Sequence, residues 1–105
     1  MLLQVIRNLI RRPATVKYPY VRVEPPEGYR GRPVVNKERC IQCWLCIKAC
    51  PDRAISINRE TKKPSIWLAR CMFCGECAEV CPARAIIMTR EFELAIYDKE
   101  QARSE

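Results

Sequence analysis

The chain has 105 residues, 19 Lys+Arg against 12 Asp+Glu, eight cysteines and no histidine. The missing histidine excludes Rieske centres, c-type haem attachment and Cys/His zinc fingers. A chain this small buries only about 60–65% of the surface its unfolded form exposes, so an apolar core alone holds it poorly. Eight cysteines in a short chain ordinarily suggest a disulfide scaffold. Against that, the apolar start Met1–Ile10 is broken by Arg7 and no small-residue cleavage site follows, so no secretory signal is expected. The cysteines also fall into two tight groups instead of spreading along the chain.

The first predicted element is a helix over Met1–Arg12. Leu2, Val5, Ile6, Leu9 and Ile10 recur at helical spacing on one face, with Arg7, Arg11 and Arg12 off it or at its end. Pro13 stops it. About twelve residues span only about 18 Å as a helix, too short to cross a bilayer. A basic amphipathic helix of this kind fits a membrane surface or a groove of a membrane-bound subunit; the plainer reading packs it on its own domain. Residues 13–33 follow, with Pro13, Pro19, Pro25, Pro26 and Pro33 favouring extended backbone. Tyr18, Tyr20, Val21, Val23 and Tyr29 are too apolar for a solvated linker, so residues 1–33 read as a helix and docking arm, with a disordered leader as the alternative.

Residues 34–89 form the expected domain, which is an internal repeat. Aligning Cys40–Ile57 with Cys71–Met88 superposes all four cysteines of each half, and Pro51/Pro82, Arg53/Arg84, Ala54/Ala85 and Ile55/Ile86 coincide. A pseudo-twofold axis is therefore expected. Strands are predicted at Val34–Val35, Ala54–Ile57, Ser65–Leu68 and Ala85–Met88, with polar Asn58–Lys63 turning between the middle two. Short helices are predicted near Leu45–Ala49 and Glu76–Val80, each stopped before a Cys-Pro. The class is α+β, with residues 90–105 as a C-terminal extension.

Both cysteine runs, Cys40-x2-Cys43-x2-Cys46-x3-Cys50-Pro51 and Cys71-x2-Cys74-x2-Cys77-x3-Cys81-Pro82, fit C-x2-C-x2-C-x3-C-P. This is the bacterial two-cluster ferredoxin run, in which the fourth cysteine ligates the other cluster. On that rule Cys40, Cys43, Cys46 and Cys81 hold one [4Fe–4S] cluster, and Cys71, Cys74, Cys77 and Cys50 hold the second. A pair of four-cysteine zinc sites is the competing metal reading, but zinc needs neither the third cysteine nor the trailing Cys-Pro. Two clusters, each with a net charge of about −2 including its thiolates, lower the formal +7 to about +3, so the loaded chain stays basic.

With these motifs residues 34–89 resemble the bacterial two-cluster ferredoxin fold. The wider chain resembles the ferredoxin-like subunit shared by respiratory complex I and the membrane-bound energy-converting hydrogenases. The likeness is carried by Arg12-Pro-Ala-Thr-Val-Lys-Tyr-Pro19 in the arm, by Tyr29-Arg-Gly-Arg32, and by Glu91-Phe-Glu-Leu-Ala-Ile-Tyr-Asp98 after the last strand. It implies a peripheral subunit on the cytoplasmic face, held by its N-terminal helix and arm, with hydrogenase or complex I-type subunits as partners. Electrons would pass from a donor, acidic ferredoxin in the hydrogenase branch, across both clusters to a neighbouring subunit. The segment between the motifs is short, which favours the hydrogenase type; a sulfur-reducing membrane complex would look alike.

Gln42, Phe73 and Trp44 stand where glycine is frequent in such loops, and Trp44, Trp67 and Phe73 are expected to pack on cluster and core. Lys48, Arg53, Lys62, Lys63, Arg70 and Arg84 are either a steering surface for an acidic donor or an ordinary solvated face. No nucleic-acid module is present. No catalytic acid, base or substrate pocket is evident, so the chain is expected to relay electrons and not to be an enzyme on its own. The competing functions are a freely diffusing ferredoxin and a zinc-stabilised interaction module.

Overall fold

Short apolar runs on either side of each cysteine loop form the strands of the computed structural model, which describes residues 1–104. In chain order these are β1 (Pro33–Val35), β2 (Ile55–Ile57), β3 (Pro64–Trp67) and β4 (Ile86–Met88). β1 pairs antiparallel with β4 and β2 with β3. The registers correspond: Pro33 faces Met88 and Val35 faces Ile86, as Pro64 faces Ile57 and Ile66 faces Ile55. The first strand of each pair lies 31 positions from its counterpart, the spacing of the cysteine motifs. Two bridging hydrogen bonds match in the same way, Asn36 N–H to Ala85 C=O at 2.7 Å and Trp67 N–H to Ala54 C=O at 2.8 Å.

Between the strands lie two short helices, α2 (Leu45–Ala49) and α3 (Glu76–Glu79), one residue shorter at its end than the sequence suggests. The β2–β3 turn falls where expected: Asn58 N–H donates to Lys63 C=O, and its side chain accepts from Glu60 N–H at 3.0 Å. The molecule is thus a small mixed helix and sheet domain. Its core is Val35, Ile55, Ile66, Leu68, Ile86 and Ala102 together with Cys46 and Cys77. Six aliphatic side chains and two thiols make a small core, in which each large apolar residue contributes only about 1.5–3 kcal/mol.

The C-terminal extension is where sequence reading falls short. Residues Lys99–Gln101 form a 3-10 turn and Arg103–Ser104 a strand, β5, that pairs antiparallel with β3. Ala102 enters the core, and the buried Ser104 hydroxyl donates to Pro33 C=O at 2.5 Å. Trp67 anchors the return: its indole N–H donates to Lys99 C=O at 2.8 Å, and the Arg103 guanidinium stands 5.9 Å from its ring centre. Two residues of strand with mixed polarity give no periodic signal. Trp67 and Phe73 pack against the core as expected, Trp67 also holds the C-terminal residues, and Trp44 lines the cavity of its own cysteine loop.

Helix α1 (Leu2–Ile10) buries none of its residues. Leu9 is 80% and Ile10 81% exposed, so the reading in which this helix packs on its own domain does not describe the structure. The arm carries it away: the Cα radius of gyration is 19.0 Å, against about 13 Å for a compact chain of this length. Part of the arm does find a partner within the chain. Tyr18 meets Phe92 in a tilted contact and Tyr29 meets it edge-on, each with ring centres 6.2 Å apart, and the Tyr18 hydroxyl donates to the Glu93 carboxylate. Gly31 lets the arm enter the domain, since a Cβ there would sit 2.3 Å from Glu91 C=O.

Replacing Trp67 by Phe keeps the ring and removes the N–H donor. The expected cost is about 1 kcal/mol, the worth of one hydrogen bond. It is read as a lowered melting temperature of the cluster-loaded protein, with unchanged visible absorption before melting.

Candidate iron–sulfur cluster sites

The cysteine loops curl because their backbone alternates between right- and left-handed conformations. Gln42, Trp44, Phe73 and Gly75 have φ of 57°, 61°, 56° and 83°. Alternation of this kind turns successive N–H groups into an anion-binding concavity. Only glycine takes φ near +60° without steric cost, so the non-glycine residues noted in the loops sit under strain of about 1–2 kcal/mol each. Arg53 and Arg84, identical in the two halves, also have positive φ, 51° and 46°. There the chain leaves each Cys-Pro, and Ala54 N–H and Ala85 N–H donate at 3.3 Å to Cys50 Sγ and Cys81 Sγ. Phe73 N–H donates to Cys71 Sγ at 3.4 Å.

Two cavities open between these loops. One is lined by Cys40, Cys43, Cys46 and Cys81 with Trp44, Pro64 and Ile86. The other is lined by Cys50, Cys71, Cys74 and Cys77 with Pro33, Ile66 and Met88. Each draws three cysteines from one motif and the fourth from the other, so the structure brings together both sets that the sequence rule groups. Cys46 and Cys77 are buried, and Cys43 is exposed.

The thiols feel one another. Burial, then the neighbouring Cys43, Cys40 and Cys81, pushes the Cys46 thiol up, against a lowering hydrogen bond from the Ile47 N–H. Cys71 is raised by burial, with Cys50, Cys74 and Asp52 adding to it and the Phe73 N–H opposing. Cys77 is pushed up to about 11 by burial and then by Cys71, Cys74, Cys46 and Cys50. Cys46 of one cavity and Cys77 of the other lie in the same buried core cluster, so the two cavities are neighbours. Thiols so arranged resist ionising on their own, and bound cations reverse the preference.

The donor set fits a cluster and not a single ion. Among the described residues, no three Cys, Asp or Glu side chains converge closely enough to hold one metal. A tetrahedral zinc needs its sulfurs about 2.3 Å from one point, whereas here four thiols surround a volume. Residues 39–85 match the family of the 4Fe-4S dicluster domain.

The dicluster domain carries two [4Fe–4S] clusters. Subunit I of NAD(P)H-quinone oxidoreductase from Prochlorococcus marinus strain AS9601 is 43% identical over 63 residues, covering 56% of this chain and 30% of the relative. The protein of the same description from strain MIT 9303 is 44% identical over 63 residues, covering 56% and 29%. The chain thus spans under a third of the length of these curated relatives. A chain of the membrane-bound sulfane sulfur reductase (MBS), an archaeal respiratory membrane complex, superposes with TM-score 0.78 and 33% identity. It covers 94% of this chain and 56% of that one.

Around the dicluster domain, Lys48, Arg53, Lys62, Arg70 and Arg84 are exposed, and the ammonium of half-buried Lys63 donates to Lys37 C=O. Sequence reasoning missed two neighbours of the second cavity. The Arg30 side chain lies over Gly75, its Cδ 3.8 Å from where a Cβ would stand. Half-buried Asp52 lines the cavity itself. Comparing Asp52 with Ala83, its partner in the repeat, was the available signal.

Because Cys46, Cys71 and Cys77 have raised pKa values before loading, the metal-free thiols hold their protons through neutral pH and loading releases them. Binding therefore strengthens as pH rises and is lost as pH falls. Anaerobic protein is expected to keep its broad absorption near roughly 400 nm at alkaline pH and to bleach faster with each step of acidification, followed by stopped-flow absorbance.

Proposed function

We propose that this chain is the electron-relay subunit of a membrane-bound oxidoreductase. Cys40, Cys43, Cys46 and Cys81 hold one cluster, Cys71, Cys74, Cys77 and Cys50 the other, and the two halves are related by a pseudo-twofold axis. The observation that carries this reading is the pair of adjacent cavities, each walled by thiols of both motifs. The clusters supply one-electron transfer when bound. The chain's own residues hold them side by side, exclude water with Trp44, Ile66, Pro33 and Pro64, and offset charge with N–H groups aimed at sulfur.

Residues 1–33 and 90–105 are a docking arm and an extension in this reading. Helix α1, with every apolar side chain exposed, lies on a membrane surface or in a groove of a membrane-bound partner at the cytoplasmic face. Catalysis belongs to that partner in this reading. The likeness over 94% of the chain, arm included, to the archaeal respiratory complex favours a hydrogenase or sulfane-sulfur-reductase type of assembly. The quinone-type relatives align over 56%. The exposed basic residues favour an acidic ferredoxin as donor. A freely diffusing carrier would leave α1 and the arm without a purpose.

The test is an anaerobic, mild-detergent purification of the full chain and of a chain lacking Leu2–Ile10 from native membranes. The full chain is expected with oxidoreductase and antiporter-like membrane subunits. The shortened one is expected in the soluble fraction with its visible spectrum intact. Recovery of the full chain alone from the soluble fraction contradicts the proposal.

A further inference from the structure

The 31-residue spacing of the repeat lets the walls of the two cavities be compared position by position. Pro33 corresponds to Pro64, Ile55 to Ile86, and Met72 to Ile41, each lining its own cavity. Apolar matches apolar throughout these pairs. Asp52 breaks the correspondence. It lines the cavity of Cys50, Cys71, Cys74 and Cys77, and its counterpart in the repeat is Ala83, which does not line the other. Apart from the thiols, Asp52 is the one ionisable side chain in the wall of either cavity among the described residues.

We propose that Asp52 sets the electron affinity of the Cys50–Cys71–Cys74–Cys77 site below that of its counterpart. An electron shared between the sites then rests on the side of Cys40, Cys43, Cys46 and Cys81. This rests on the ligand sets assigned above. Each cluster accepts one electron and gains one negative charge, and a fixed carboxylate in the wall opposes that gain by Coulomb repulsion. Asp52 is half-buried, so solvent screens it incompletely, and no ion pair among the described residues neutralises it. Two cations are near: Arg53, exposed and next in the chain, and Arg30, which lies over Gly75 of the same cavity wall. Both are exposed and neither lines the cavity, so water screens them more strongly. Asp52 is thus a positioning residue for the electron, acting through the field at the cluster and touching no substrate.

The test is an anaerobic redox titration of the full-length, cluster-loaded protein with mediator dyes, followed by electron paramagnetic resonance. Native protein is expected to reduce in two resolved steps. Asp52→Asn, nearly isosteric, is expected to raise the lower midpoint and leave the upper one in place. Ala83→Asp, adding the carboxylate to the other half, is expected to lower the upper midpoint alone. The expected size is a redistribution of the shared electron on the order of tenfold, about 59 mV for one electron. A purely structural role for Asp52 would change cluster content and leave both midpoints unmoved. A single unresolved step in native protein, or an Asp52→Asn variant whose lower midpoint stays put, overturns the inference. If Asp52→Asn fails to load, an upper midpoint unmoved in Ala83→Asp overturns it equally. Cys50→Ser separates the two readings. It is expected to alter the signal of the lower-midpoint site; if it alters the upper one, the ligand assignment fails while the Asp52 effect stands.

Discussion

Charge balance inside two adjacent cavities governs the rest of this structure. Eight thiols stand in two groups of four, with Cys46 and Cys77 buried and Cys77 pushed up to about 11. Left alone, such groups stay neutral and merely fill space. With iron they become thiolates, and the binding free energy becomes folding free energy. A core of a few aliphatic residues needs that contribution, because so short a chain has little apolar surface to bury. Each cavity borrows its fourth cysteine from the other motif, so with the proposed ligation the loss of one cluster would loosen both halves.

The same arrangement suits the electron relay proposed for the chain. Cys46 and Cys77, one from each cavity, belong to a single core cluster, which would give an electron two neighbouring resting places. The left-handed loop residues hold N–H groups toward sulfur without help from side chains. Rigidity comes from the strands that frame each loop and from β5, which adds a third strand to one half only. Asymmetry enters at several places, among them Gln42 against Phe73, Trp44 against Gly75, Asp52 against Ala83, and the C-terminal residues folded on β3. A repeat equal in its ligands is unequal in its walls.

Much of this was legible in the sequence. The motif spacing singled out eight cysteines, and the grouping it implies is the grouping in which they wall the two cavities. Strands fell within one or two residues of expectation because short apolar runs around Ile55, Ile66 and Ile86 recur at fixed distances from the cysteines. Helix α1 was visible in its apolar stripe. β5 was not, since Arg103 and Ser104 carry no hydrophobic period and are held by Trp67, 36 positions or more earlier in the chain. Asp52 was not, because a carboxylate after Cys-Pro looks like a turn residue until the cavity places it beside Cys71. The arm's packing on Phe92 joins residues more than 60 apart, a contact that no local pattern encodes.

The central claim is that two iron clusters lie in the two mixed-motif cavities. An anomalous difference map at the iron edge, from crystals of anaerobically purified protein, tests it most directly. The account predicts two separate four-iron peaks, one inside Cys40, Cys43, Cys46 and Cys81 and one inside Cys50, Cys71, Cys74 and Cys77. Single-atom peaks, absence of iron, or iron bounded by the four cysteines of one motif would contradict it.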